Sequence, residues 1–278
     1  AVLTTLAAAV VARMPNRPGA LSLGHTTPVL ISCAAFAVTP GHWFSLPLAA
    51  AGIGLLAGSA TLLVLPSDLS MTAPMTAGVS FILVGGLVGM MDIPPDRAAA
   101  TTLALLVVIT LSAPWVAMAQ LPTTIGTSRE NERIDPVRVY SRVGNARVLV
   151  ISLKAGCSAA MMVLAPLMAT SPTAITMLAC VGLALMLATR SLRSSVEVVI
   201  GVLTGMFLTV VAAVATTTVI PDALPWTLGA IILAAVLLLA ANVVSQKLRP
   251  WLTRLADVAG VLVLLGILPL AALVWGVV

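Results

Sequence analysis

The sequence predicts an all-α membrane protein, a polytopic transmembrane helix bundle with about ten spans. Hydrophobic residues make up 60% of the 278 residues and charged residues only 8%, whereas charged residues make up about 25% of ordinary soluble domains. The apolar residues form runs of about twenty, the length that an α-helix needs to cross the hydrocarbon core of a bilayer. Prolines lie at many ends of these runs, because a residue without a backbone N–H fits best where a helix starts or stops.

Breaks at proline, glycine and charged residues divide the chain into ten apolar segments, each predicted to be a transmembrane helix. The first segment begins at residue 1 within an apolar run, without an initiator methionine or a basic leader, so we expect the chain to start inside a longer protein. The predicted spans are 1–12 (truncated), 21–39, 46–65, 72–91, 97–118, 147–169, 173–189, 196–220, 225–244 and 256–277.

Positive charge is confined almost entirely to alternate connections between these segments. Because cytoplasmic connections carry an excess of Lys and Arg, the basic connections near 13–20, 119–146, 190–195 and 245–255 are predicted to be cytoplasmic. The connections near 40–45, 92–96, 170–172 and 221–224 are predicted to be external, as is the C-terminus. Arg97 departs from this pattern on the external side, and the connection 66–71 carries no Lys or Arg. The 13 basic residues that follow the pattern are Arg13, Arg17, Arg129, Arg133, Arg138, Arg142, Arg147, Lys154, Arg190, Arg193, Lys247, Arg249 and Arg254.

The connection 119–146 is the one stretch with the composition of a soluble segment. Asp135-Pro136 predicts a helix start, with the aspartate as N-cap and the proline at the first helical position. The sixth span is therefore predicted to extend into the cytoplasm, where Arg138 and Arg142 share one helix face. Two interpretations remain open: contact with anionic lipid, or a docking surface for a partner protein. The docking interpretation uses Arg129, Arg133, Arg138, Arg142 and Arg147.

The centres of the predicted spans hold no ionisable residue. Lys154 lies deepest, a turn or two inside the sixth span, where its aliphatic stem can extend back to the cytoplasmic headgroups. Transporters and proton relays need ionisable side chains at membrane depth. The pattern therefore favours a scaffold over a transporter.

No catalytic residue, cofactor site or metal site is predicted, and the protein is not expected to be an enzyme. The sequence contains no Ser/His/Asp set, no HExxH motif, no paired carboxylates and no phosphate-binding glycine loop. The three cysteines are isolated within apolar runs, which is typical of small buried side chains. Nucleic acid is not a predicted partner, because the basic residues lie in loops without interleaved aromatic side chains.

Three pairs of glycines spaced four residues apart predict close helix packing. This spacing puts both glycines on one helix face and lets two backbones approach each other. It leaves open whether the neighbouring helix belongs to the same subunit or to another. The pairs are Gly54 and Gly58, Gly85 and Gly89, and Gly201 and Gly205.

The last predicted span carries Arg254-Leu255-Ala256-Asp257-Val258, then an aliphatic run to Ile267-Leu268-Pro269-Leu270-Ala271, then Trp275-Gly276-Val277. This order resembles the C-terminal helix of EccD, the many-span membrane protein of mycobacterial type VII (ESX) secretion systems. Val38-Thr39-Pro40-Gly41 at the end of the second span and Arg190-Ser191-Leu192-Arg193 after the seventh are also similar to the family. So is the long basic connection into the sixth span, and the similarity runs over essentially the whole chain.

The resemblance implies an N-terminal ubiquitin-like cytoplasmic domain and eleven spans in the full protein, so that this domain and the first span precede residues 1–278. The resemblance also implies that the protein lies in the inner cell membrane of mycobacteria. It further implies a second EccD copy, and the two copies together enclose lipid. EccB, EccC and EccE are the implied partners at the cytoplasmic connection 119–146. The predicted function is a structural scaffold of the secretion complex. The alternative is a secondary transporter or lipid flippase, which would need a polar cavity near the membrane midplane.

Overall fold

The structure is a computed structural model, and it describes residues 17–63, 69–119, 136–189, 194–223, 225, 229 and 249–276. These residues contain α-helices and short 3-10 turns and no strand, so the all-helical prediction is confirmed for them. The helices are α1 (Arg17–Val38), α2 (Leu46–Leu63), α3 (Thr72–Met91), α4 (Pro95–Ala119), α5 (Pro136–Leu164), α6 (Pro172–Ala188), α7 (Ser195–Val219) and α8 (Arg249–Trp275). The 3-10 turns are Leu69–Met71, Ala165–Met168 and Pro221–Ala223.

Several helical stretches have the length and composition of membrane spans. Those long and apolar enough to cross a bilayer are Leu69–Met91, Pro95–Ala113, Val143–Met168 and Ser195–Val219. Shorter apolar helices are Thr26–Val38, Leu46–Ala60, Pro172–Ala188 and Val261–Trp275. The first predicted span and most of the ninth lie outside the described residues. The count of ten spans and the external C-terminus stay predictions.

Local sequence explains where several helices begin. Pro95, Pro136 and Pro172 are the first residues of α4, α5 and α6, where the fixed φ of proline suits a helix and its missing N–H costs nothing. The hydroxyl of Ser171 caps α6 by accepting a hydrogen bond from the backbone N–H of Ala174 at 3.3 Å. Pro136 is helical, and the predicted N-cap Asp135 lies outside the described residues.

The chain divides into two compact units. Unit 1 comprises Ala1–Ile93 and Val108–Ala160, and unit 2 comprises Pro94–Val107 and Met161–Val278. α4 and α5 each contribute residues to both units.

In unit 1, α2 packs against both α1 and α3. Gly54 of α2 lies beside Ser32 of α1, and Gly58 lies beside Pro28. The numbering rises along α2 as it falls along α1, so the two helices are antiparallel. The second half of α4 meets α5 through a small buried cluster, in which Ala113 and Val150 pack with Ala146 and Leu153.

In unit 2, α6 packs against both α7 and α8. Gly182 of α6 lies beside Gly205 of α7. The end of α8 is joined to the start of α4, because the indole N–H of Trp275 donates a hydrogen bond to the hydroxyl of Thr101 at 2.9 Å. The last helix is therefore held both by its packing against α6 and by a side-chain bond at its end.

Candidate docking helix and helix-packing sites

The N-terminal part of α5 is the candidate docking site. Residues 143–148, here called the exposed segment, include Val143 at 52% and Val148 at 40% exposure. Arg147 is also exposed, and no atom lies within 4 Å of the position that a Cβ would take at Gly144. Most of this segment is therefore uncovered by the part of the chain that the structure describes.

The five predicted docking arginines are placed only in part. Arg129 and Arg133 lie outside the described residues, together with the rest of 120–135. Arg138 and Arg142 occupy positions one turn apart on α5, while their side chains lie outside the described part. Arg147 belongs to the exposed segment. Their role in docking stays a prediction.

The middle of α5, by contrast, is fixed to its neighbours in unit 1. Gly156 lies directly against the carbonyl of Ala73 and the hydroxyl of Thr76 in α3, and a Cβ at position 156 would overlap both. That hydroxyl is itself held, because it donates to the carbonyls of Thr72 at 3.0 Å and Ala73 at 2.9 Å. The thiol of Cys157, on the next residue, is hydrogen-bonded to the side chain of Thr110 in α4. α5 is therefore anchored to two helices at adjacent positions.

Lys154 is buried within the protein. Its side chain is only 6% exposed, so other side chains rather than lipid enclose it. The predicted extension of its stem to the headgroups stays a prediction. Ser158, also buried, follows one turn later on the same helix face. This pair of polar residues within an apolar run is the feature of the sequence from which the burial of Lys154 could have been predicted.

Buried hydroxyls on the other helices bond to their own backbone. Ser59 donates to the carbonyl of Leu55 at 2.7 Å, and Ser80 donates to that of Thr76 at 2.8 Å. Thr102, Thr204 and Thr216 bond in the same way to the residue four positions earlier. Among the described residues no buried side-chain nitrogen or oxygen lacks a hydrogen-bond partner. This arrangement suits helix packing, because such hydroxyls are already satisfied within a helix.

The four glycines of the two predicted pairs in unit 1 lie at contacts within the chain. Gly54 and Gly58 of α2 face the backbone of α1. Gly85 of α3 faces the backbone at the start of α2, where Ser45 and Ala49 lie, and Gly89 faces the side chain of Leu46. Each glycine lets two helices of the same unit come closer than a Cβ would allow.

The pair in unit 2 lies between α6 and α7. A Cβ at Gly201 would lie 2.6 Å from the Cγ2 of Thr189. A Cβ at Gly205 would lie 2.5 Å from the Cγ of Met186 and 2.7 Å from the carbonyl oxygen of Gly182. Here side-chain atoms, rather than backbone alone, occupy the space opposite the glycines.

Sequence spacing missed other glycines at close contacts. Gly52 of α2 and Gly78 of α3 face each other, and Gly182 faces Gly205. None of the missed glycines has another glycine four residues away, so the GxxxG pattern does not detect them. Gly156 could have been found through the wider small-residue pattern, because Ser152 and Ala160 lie four residues to either side.

Comparison with known proteins connects this fold to one family. A family model described as "EccD-like transmembrane domain" matches residues 1–278. A solved structure described as "Structure of protomer 1 of the ESX-3 core complex" has a similar fold, with a TM-score of 0.74 and 19% sequence identity. The similarity covers 99% of this chain and 66% of that chain, so this chain spans about two thirds of the length of its structural neighbour. No curated protein matches the sequence.

Proposed function

This chain belongs to the EccD-like transmembrane domain family, and from that premise we propose that it is a structural membrane subunit of a type VII (ESX) protein secretion complex. The observation that carries the proposal is the family match along residues 1–278. The likeness in fold to a protomer of the ESX-3 core complex supports the same kind of assembly. In this proposal the chain performs no catalysis and needs no cofactor.

Within the complex, the connection 119–146 and the start of α5 dock the partner subunits. The family resemblance names EccB, EccC and EccE as these partners, with a second EccD copy alongside in the membrane. The exposed segment of α5 supports this role, because Val143, Gly144 and Asn145 are all exposed in the part of the chain that the structure describes. The positions of Arg138 and Arg142 one turn apart favour a partner with an acidic surface, since complementary charges speed and orient association.

In this proposal the complex lies in the inner cell membrane of mycobacteria, in contact with the membrane lipids. Outward apolar side chains support a lipid contact: Leu203, Val210 and Val214 of α7 are 58%, 57% and 61% exposed. Contiguous apolar surface of this kind is stable against acyl chains and unfavourable in water.

Charge reversal tests the docking role. Replacement of Arg138 and Arg142 by Glu is expected to lower the recovery of partner subunits with the full-length protein by about tenfold, because a basic patch becomes an acidic one. The measurement is the mass of the complex in blue-native electrophoresis and the amount of each copurified subunit.

The matched control is the same double reversal at Arg190 and Arg193. These residues lie in another connection that is predicted to be cytoplasmic, so the change in charge and its effect on membrane orientation are the same. An intact complex with Arg138→Glu and Arg142→Glu would contradict docking at α5. Equal loss in both variants would indicate a general effect of charge on insertion.

The alternative function, a secondary transporter or lipid flippase, is favoured by one observation. Lys154 is a buried ionisable residue inside an apolar helix, and such residues often mark ion or substrate pathways. The alternative requires substrate-dependent proton or sodium uptake into proteoliposomes that contain this protein alone, and loss of that uptake in Lys154→Met. The absence of uptake would leave the scaffold as the function.

A further inference from the structure

α5 is longer than a membrane span requires. Its 29 residues make a rod of about 43 Å at about 1.5 Å per residue, against about 30 Å for the hydrocarbon core. One part of this helix must therefore extend beyond the acyl chains. Since the charged residues of α5 are concentrated before residue 148, at Arg138, Arg142 and Arg147, the extension is the N-terminal part of the helix.

The two parts of α5 differ in what surrounds them. At residues 156 and 157 the helix is anchored to α3 and α4, through the close approach of Gly156 to Ala73 and the bond between Cys157 and Thr110. At the exposed segment, Val143, Gly144 and Asn145 are all exposed. The helix passes without a break from the uncovered part to the anchored part.

Nothing in the sequence of α5 interrupts this continuity. The helix contains no proline after its first residue, and Gly144 is the one glycine between Pro136 and Gly156. The residues around Gly144 remain helical, although nothing lies within 4 Å of the position that its Cβ would take. A continuous helix without an internal proline has no usual site for a sharp kink, so its uncovered N-terminal part and its anchored middle move together.

We propose that α5 is a rigid connecting helix that couples the position of a partner subunit docked at its N-terminal part to the packing of α3 and α4 in unit 1. The proposal rests on the docking role proposed above, and it adds that stiffness, rather than the docking surface alone, is required for secretion. A movement of the docked partner turns or tilts α5 at its anchor, where Gly156 leaves no space for independent adjustment.

The exposed segment allows a test that changes stiffness and little else. The flexible variant combines Val143→Gly and Asn145→Gly, which with Gly144 gives three successive glycines. The stiff variant combines Val143→Ala, Gly144→Ala and Asn145→Ala. Both variants remove the same two exposed side chains, and they differ because glycine is far less favourable than alanine in a helix interior. Faster amide hydrogen exchange in residues 136–148 of the flexible variant, with unchanged exchange in α3, verifies the intended effect.

Each variant is introduced into the full-length protein in cells that express the partner subunits, and assembly and secretion are measured separately. The flexible variant is expected to assemble normally but to secrete about tenfold less, because the connection no longer transmits position. The stiff variant is expected to assemble and secrete like the wild type. Loss of assembly in the flexible variant alone would also support a requirement for stiffness.

Two results would overturn the proposal. Wild-type secretion by the flexible variant would show that a stiff connection is not needed. Loss of assembly in both variants would assign the effect to the missing side chains of Val143 and Asn145. The docking role itself fails on a different result, an intact complex after charge reversal at Arg138 and Arg142, so the two proposals can be rejected independently.

Discussion

Glycines with the same spacing make two different kinds of helix contact, one at Gly58 and Gly85 in unit 1 and the other at Gly201 in unit 2. In unit 1, a Cβ at Gly58 would overlap the backbone of Pro28, and a Cβ at Gly85 would overlap that of Ala49. In unit 2, a Cβ at Gly201 would meet a methyl group, the Cγ2 of Thr189, and the next atom would be a carbonyl oxygen at 3.7 Å. Gly58 and Gly85 therefore hold two backbones together, whereas Gly201 leaves room for a side chain.

This difference predicts how each contact tolerates an added methyl group. A packed backbone can move only if the whole helix moves, and that movement disturbs every neighbouring contact. A side chain can change rotamer or be shortened by substitution. The tolerance of each contact therefore depends on which atom lies opposite the glycine. The spacing of the glycines along one helix does not identify that atom.

The largest expected effect is at the contacts between backbones. Gly58→Ala and Gly85→Ala are each expected to lower the free energy of unfolding by about 3 kcal/mol, because overpacking here forces helices apart. The measurement is reversible unfolding of the purified protein in mixed detergent micelles.

Gly86→Ala is the matched control, one residue from Gly85 on the same helix. Nothing lies within 4 Å of the position that its Cβ would take, so stability is expected to stay the same or to rise by up to about 1 kcal/mol. Equal destabilisation at positions 85 and 86 would refute the interpretation of α3 as packed through one specific face.

A smaller effect is expected in unit 2. Gly201→Ala is expected to cost about 1 kcal/mol, because the added methyl group displaces the Cγ2 of Thr189. Thr189→Ser removes that methyl group and keeps the hydroxyl, which donates to the carbonyl of Met186 at 2.7 Å. The double variant is therefore expected to recover most of the stability lost in Gly201→Ala, as a double-mutant cycle would measure. No recovery would show that the α6 backbone, rather than one side chain, limits the space.

The parts of this fold that follow from local sequence could be predicted. The start of α5 at Pro136 depends on two adjacent residues, and the apolar runs depend only on length and composition. The glycine pairs are likewise a local pattern. Residues brought together by the fold were not predictable in the same way: Gly58 meets Pro28 because α1 and α2 are antiparallel in one particular register.

Lys154 shows the same limit for a candidate functional residue. Its distance from the start of a span suggested an extended side chain near the headgroups, since long basic side chains commonly reach that layer. Its burial depends on which face of α5 turns inward, and the apolar sequence of α5 gives no strong preference for one face. For Arg138 and Arg142 the sequence predicts a helix and a shared face, while the surface of the proposed partner would belong to another chain.

The smallest expected effect concerns the side-chain link at the end of α8, which supplements helix packing in unit 2. The hydroxyl of Thr101 accepts the hydrogen bond from Trp275 and donates to the carbonyl of Arg97 at 3.0 Å. Trp275→Phe keeps an aromatic ring but removes the donor, so we expect a loss of about 1 kcal/mol or less, because the bond is exposed and water replaces part of it. Thr101→Val is expected to cost a similar amount, and the double variant no more than the larger single loss. Full additivity in this cycle would mean that the bond does not contribute, and that α8 is held by its packing against α6 alone.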